Sequence, residues 1–182
     1  TISGNDKVQD AYTVFSHADN SGSGDRLRNF NTNELQLQRR DTGSWNYSKD
    51  VYVRFDMSSI PEGSSIDSAS LQLYLRSIYN NGVRDHVIRV YTVSRAWDET
   101  AITYQNAPGS ADLQTIYNVP SNLGAGWLSF DVTPHVYDVV HRLKPNYGLV
   151  MYLDGDTYDS DRLTLTFDSS EGANSPRLVV DY

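Results

Sequence analysis

Two segments repeat the same chemistry at the same spacing: Tyr52-x-Arg54 and Tyr74-x-Arg76. On an extended chain, side chains two apart share a face, so each segment presents one ring and one guanidinium on the same side. A tyrosine is a flat apolar surface with a polar tip, suited to stacking on a pyranose. An arginine grips a carboxylate through two parallel hydrogen bonds. If the two segments lie side by side, joined through the turn at Pro61-Glu62-Gly63, the outcome is a patch of two rings and two guanidinium groups. The same pattern also suits an ordinary solvated face, with Arg54 paired to Asp56.

A second group lies in turn-rich sequence: Arg26, Arg28, Arg39, Arg40, Trp45 and Tyr47. Trp45, in Thr-Gly-Ser-Trp-Asn, is either an exposed platform flanked by cations or a lid on the core. Trp97 follows an apolar run and reads as core, with Glu99 and Asn106 bracing its loop through backbone hydrogen bonds.

Carboxylates cluster once. Asp154, Asp156, Asp159 and Asp161 fall within eight residues of a Gly-bearing turn, a spacing that suits a calcium ion, which takes six to eight oxygens. A rival set near the termini is Asp6, Asp10 and Asp181, and a weaker one is Asp19, Asn20 and Asp25. Solvated aspartates in a turn need no metal, so the spacing alone leaves both readings open.

Catalytic constellations are thin. His17, His86, His135 and His141 have no metal-binding spacing, and no nucleophile elbow, P-loop or dinucleotide fingerprint occurs. His135 and Tyr137 share a helical stretch but, at i and i+2, point to different sides. A lyase or glycosidase is the minor alternative.

The elements that must position these groups are strands. Period-two alternation marks 34–38, 50–57, 69–76, 128–132 and 162–167, while 11–16, 87–93, 149–153 and 178–180 read as more deeply buried strands. One helix is expected from Pro134, capped by Thr133, with Val136, Val139, Val140 and Leu143 on its apolar face. Residues 105–126 read as the longest loop. Many short strands without a βαβ rhythm predict an all-β antiparallel jelly-roll β-sandwich with one short helix, formed by residues 1–182 as a single domain.

Composition narrows the function. The chain has 182 residues, 13 of them Tyr, no Cys, and a net charge of −8. An acidic surface disfavours nucleic acid, and no apolar run is long enough to span a bilayer. Lack of Cys removes disulfides and thiol chemistry but is compatible with an extracellular location at this size. Opening at Thr1-Ile2-Ser3-Gly4, the chain reads as a domain excised from a larger extracellular or cell-surface protein.

The stretches VRFDMSSIPEGSSIDSASLQLYL (53–75), VYTVSRAWDETAITYQNAP (90–108), FDVTPHVYDVV (130–140), NYGLVM (146–151) and FDSSEGANSPRLVVDY (167–182) resemble, in order, the disaggregatase-related carbohydrate-binding modules named for a D-N-R-L-R-E motif. The nearest match to that motif is Asn5-Asp6-Lys7-Val8-Gln9-Asp10, similar at most positions and identical at none. The resemblance implies a jelly-roll module without catalytic activity, joined in its parent chain to a polysaccharide-degrading domain. Its ligand would be an extracellular, uronate-containing polysaccharide, contacted by Tyr52, Arg54, Tyr74, Arg76, Trp45 and Arg28. A structural calcium is expected at Asp154, Asp156, Asp159 and Asp161. A structural or adhesive cell-surface repeat is the runner-up.

Overall fold

The computed structural model describes residues 1–4, 6–16, 24–41, 46–81, 86–155 and 162–182. It is an all-β molecule whose antiparallel strands form one curled sheet, with one short α-helix and one 3-10 turn among the described residues. The strands are β1 (Ile2–Ser3), β2 (Val8–Ser16), β3 (Glu34–Asp41), β4 (Asn46–Phe55), β5 (Ser68–Asn81), β6 (His86–Val93), β7 (Ser110–Val119), β8 (Gly126–Asp131), β9 (Leu149–Gly155), β10 (Arg162–Asp168) and β11 (Arg177–Asp181). Hydrogen bonding runs β1-β11-β5-β10-β3-β4-β9-β6-β7, with β8 added to β5 and β2 to β4.

Alternation drives the curl. Leu71, Leu73 and Leu75 of β5, Leu163, Leu165 and Phe167 of β10, and Leu35 and Leu37 of β3 face Val51, Val53 and Phe55 of β4 and Leu149, Met151 and Leu153 of β9. Together with Ile88 and Val90 of β6 they form one core, nearly all of it with no exposed surface. At roughly 1.5–3 kcal/mol for each fully buried apolar side chain, this cluster is the main reason that the sheet closes on itself. β10 lies between β3 and β5, paired with β3 over Arg162–Asp168 and with β5 over Arg162–Phe167, with a register shift at its end.

Segments 50–57 and 69–76 are strands, as their alternation predicts, but they are not neighbours. β4 pairs with β2, β3 and β9, whereas β5 pairs with β8, β10 and β11. The Pro61–Gly63 connection is not a hairpin turn, because the inward leucines and valines of both strands must meet face to face across the core rather than side by side. Residues 105–126 are not all loop either. β7 runs through them at the sheet's end and, among the described residues, pairs with β6 alone.

The helix, α1, spans Thr133–Val140. Val136 and Val140 are buried, but Leu143 lies beyond its end and is 64% exposed. Val132, not Thr133, occupies the N-cap position, and no side chain caps it. Thr133 instead accepts a bond from Ala69 N at 2.9 Å and donates to Asp131 at 2.7 Å, tying the helix start to β5. Gly148 enters β9 with φ at 83°, and a Cβ there would lie 2.5 Å from the Val53 carbonyl oxygen. Only glycine lets the chain pass that close to β4.

Candidate functional site

The outward face of the β2-β4-β9-β6 region is read row by row from its register. Ala11 stands opposite Tyr52, Tyr52 opposite Val150, and Val150 opposite Tyr91. Two residues further along each strand the row is polar: Thr13 opposite Asp50 between β2 and β4, and Tyr152 opposite Arg89 between β9 and β6. The first row is covered by the loop after β6. Trp97 and Ile102 of that loop pack with Ala11, Tyr52, Val93 and Val150 into a second, smaller apolar cluster. Beyond the loop's edge Asp50, Tyr152 and Arg89 of the second row line an open surface, while Thr13 stays buried.

That open part is a groove of about 550 Å³. Its floor carries Ser48 and Asp50 from β4, Tyr152 and Asp154 from β9, and Arg89 and Tyr91 from β6. Phe15 and Tyr104 form one wall, with ring centroids 4.9 Å apart, and the Arg26 guanidinium sits over both rings at 5.4 and 5.1 Å. Tyr91 and Tyr152 meet edge to face at 5.7 Å. Arg39 closes the far side. Arg89 donates to Asp154 at 3.1 Å. Desolvation pushes the Asp50 carboxyl up to about 7, against the lowering pull of Arg39. With Asp50 held near neutrality, three guanidinium groups outweigh the groove's fixed negative charge, although the chain as a whole is acidic.

The residues singled out by sequence are dispersed. Tyr52 is buried under Trp97, and its hydroxyl donates to the Pro108 carbonyl at 3.0 Å. Arg54 donates to Gln9 and lies 5.6 Å from the Trp97 ring, in a separate cavity with Asp6, Lys7, Asp56, Glu99 and Asn146. Its expected partner, Asp56, pairs with Lys7 instead. Tyr74 packs edge-on against Trp127, whose ring carries Arg177 at 3.9 Å. Arg76 binds Asp168 at 3.2 Å. Arg28 is exposed, 3.4 Å from Asp25. The structure therefore does not join the two Tyr-x-Arg segments into one patch, because β4 and β5 belong to opposite flanks of the core.

Trp97 is core, donating from its indole to the Tyr147 carbonyl at 2.8 Å. Glu99 accepts the Asp10 backbone N–H at 3.1 Å, and Asn106 holds Thr103 N and the Ala101 carbonyl, so both brace backbone. His135 is buried inside the helix, desolvated down to about 4, while Tyr137 stacks on His141 at the surface. They do not converge.

Of the acidic turn, Asp154 is placed on Arg89, while Asp156, Asp159 and Asp161 lie outside the described residues, as does Trp45. Asp6, Asp10 and Asp181 do not come together. Among the described residues no three His, Asp or Glu side chains stand arranged to hold a metal ion. No helix among them is long and apolar enough to cross a membrane.

Sequence reasoning missed Arg26, Arg39, Arg89, Tyr91, Tyr104 and Tyr152 as a set. The available signal was alternation inside runs read as more deeply buried: Arg89 and Tyr91 alternate with Ile88 and Val90, and Tyr152 and Asp154 with Met151 and Leu153.

Rings flanked by guanidinium groups in an open groove suit a polyhydroxylated, flat-faced ligand. No curated protein matches the chain. The family model for carbohydrate-binding module family 96 matches residues 7–182, and such families are generally non-catalytic. The chain therefore belongs to carbohydrate-binding module family 96.

Proposed function

We propose that the chain is a non-catalytic module that holds an acidic, uronate-containing polysaccharide along the groove between Tyr104 and Tyr152. In this reading it is a jelly-roll domain of an extracellular or cell-surface protein, kin to the disaggregatase-related modules, and serves a catalytic domain of the same parent chain. Support for the sugar face is one observation: Tyr91, Tyr104 and Tyr152 share a groove with Arg26, Arg39 and Arg89. The rings take the apolar faces of successive pyranoses, and the guanidinium groups take carboxylates. Burial raises the Asp50 carboxyl to about 7, which weakens the charge it would otherwise set against a carboxylate ligand.

Calorimetric titration with uronate oligosaccharides, against the same oligosaccharides with carboxyls reduced, tests this directly. Tyr152→Ala and Arg39→Ala are each expected to lose about ten-fold or more in affinity, the cost of one charge-assisted bond or one stacking face. The reduced oligosaccharides are expected to bind weakly. Unchanged affinity in both variants would remove the groove as the site, and equal affinity for the reduced sugar would remove the preference for uronate.

A further inference from the structure

The flank opposite the groove carries an arginine that no carboxylate engages among the described residues. β8, β5, β11 and β1 lie side by side there, and their register sets one row across four strands: Ser129, Gln72, Arg177 and Ser3. This row faces outward, because Leu128, Leu71 and Leu178 beside it are buried in the core. In the next row Trp127 of β8 stands opposite Tyr74 of β5, and the two rings meet edge to face at 5.4 Å. Arg177 crosses β5 to reach that pair, and its guanidinium carbon lies 3.9 Å from the Trp127 ring centroid. Trp127, Tyr74, Gln72 and Arg177 are all half-buried, while Ser129 and Ser3 are exposed.

Other arginines of this acidic chain are matched: Arg28 with Asp25, Arg76 with Asp168, Arg89 with Asp154 and Arg142 with Glu62. The Arg177 guanidinium has the Trp127 ring and, among the described residues, no hydrogen-bond acceptor. Its neighbours are already committed. Asp131, two residues beyond Ser129, accepts from the Thr133 N–H and hydroxyl, and Arg76, two beyond Tyr74, is held by Asp168. A guanidinium in contact with a ring keeps its N–H groups at the edge of the stack, already oriented, so a planar carboxylate can take two of them at little cost in side-chain order. Arg26 of the groove is held on Phe15 and Tyr104 in the same way.

We infer that this flank is a second surface for acidic polysaccharide. Arg177 takes a uronate carboxylate, Trp127 and Tyr74 pack against the pyranose, and Gln72 and Ser129 reach its hydroxyls. The inference rests on the reading of the chain as a module for acidic sugars, not on the groove. The two surfaces lie on opposite sides of the core, so one short oligosaccharide cannot fill both. The module then bridges two polysaccharide chains.

The test is calorimetric titration with a short uronate oligosaccharide. Two ligands per chain are expected for the wild type, and one each for Arg177→Gln and Tyr152→Ala, with affinity at the altered surface lowered about ten-fold or more. The double variant binds none. Light scattering on a long uronate polymer is expected to show cross-linking by the wild type and by neither single variant. One ligand per wild-type chain, retained in Arg177→Gln, overturns the inference. One ligand lost in Arg177→Gln and retained in Tyr152→Ala supports this surface and removes the groove. No binding by the wild type overturns both. The indole N–H resonance of Trp127, assigned with Trp127→Phe, gives a readout that needs no change at Arg177: it should shift on titration of the wild type, and a resonance that stays in place overturns the inference even if Arg177→Gln fails to fold.

Discussion

Tyr52 meets Trp97 edge to face, ring centroids 5.7 Å apart, and its hydroxyl donates to the Pro108 carbonyl at the far end of the same loop. One side chain of the sheet thus fastens both limbs of the loop that walls the groove. Trp97→Ala removes a large buried ring and its bond to Tyr147, and is expected to cost about 3–5 kcal/mol in denaturant unfolding. Tyr52→Phe keeps the packing and loses one hydrogen bond, about 1 kcal/mol. Neither ring is open to a sugar, so any loss of glycan affinity should follow loop disorder. Affinity that falls in Tyr52→Phe with unfolding free energy unchanged would contradict that order.

Arg76→Ala separates structure from recognition. Arg76 pairs with the almost fully buried Asp168 carboxylate, which also holds Asn174. Removing the guanidinium leaves a buried charge less well compensated, at about 1–3 kcal/mol of stability. Glycan affinity is expected to stay at the wild-type value, since Arg76 lies on the opposite flank from the groove. Paired melting and calorimetry on this variant decide the matter.

The chain should lose stability as pH rises from about 4 to about 7. Burial raises Asp10 and Asp50 each to about 7, above the unfolded value near 3.8, so the folded state binds more protons across that window and favours the acidic side. His135 acts in the opposite sense: folded at about 4 and unfolded near 6.5, it contributes stability that is lost as pH falls through that interval. Two carboxyls against one imidazole leave a net fall with rising pH, on the order of a few kcal/mol. Melting curves from pH 4 to 8 in EDTA test the slope, and Asp10→Asn should flatten it. A slope unchanged in Asp10→Asn and Asp50→Asn would assign it to other groups.

Gly148→Ala should be among the most damaging single-methyl additions. The new carbon would overlap the Val53 carbonyl oxygen at 2.5 Å and the Arg54 Cβ at 2.8 Å, at a φ of 83° that alanine disfavours. The expected cost is about 3 kcal/mol or more, read by urea unfolding. A loss below about 1 kcal/mol would mean that β9 can move away from β4 without penalty.

Strand identity was legible where apolar residues alternate. Segments 50–57, 69–76 and 162–167 hold such strands, and the alternation marks their inward residues correctly, although Tyr52 and Thr164 on the other face are buried as well. β7 was not legible because it lies at the sheet's end with most of both faces exposed, which erases the period-two signal; Leu113 and Ile116 are each nearly half exposed. Strand partners were hidden for another reason. Alternation puts Tyr52 and Tyr74 on the face away from the main core, but says neither whether a loop covers that face, as Trp97 covers Tyr52, nor whether the two faces are one surface. The groove's rings come from β2, β6, the loop after it and β9, which only the fold brings together.

The place of β10 has a consequence for how the chain reaches this state. Its residues 162–168 fill the gap between β3 and β5, strands that precede it by more than eighty residues. Until the last quarter of the chain arrives, both strands carry unsatisfied edges and an uncovered row of leucines. Partial products therefore have no stable stopping point, and order comes late and all at once, at the slow pace of sheets built from distant segments. A truncation ending before Arg162 should yield not a smaller module but an aggregation-prone chain.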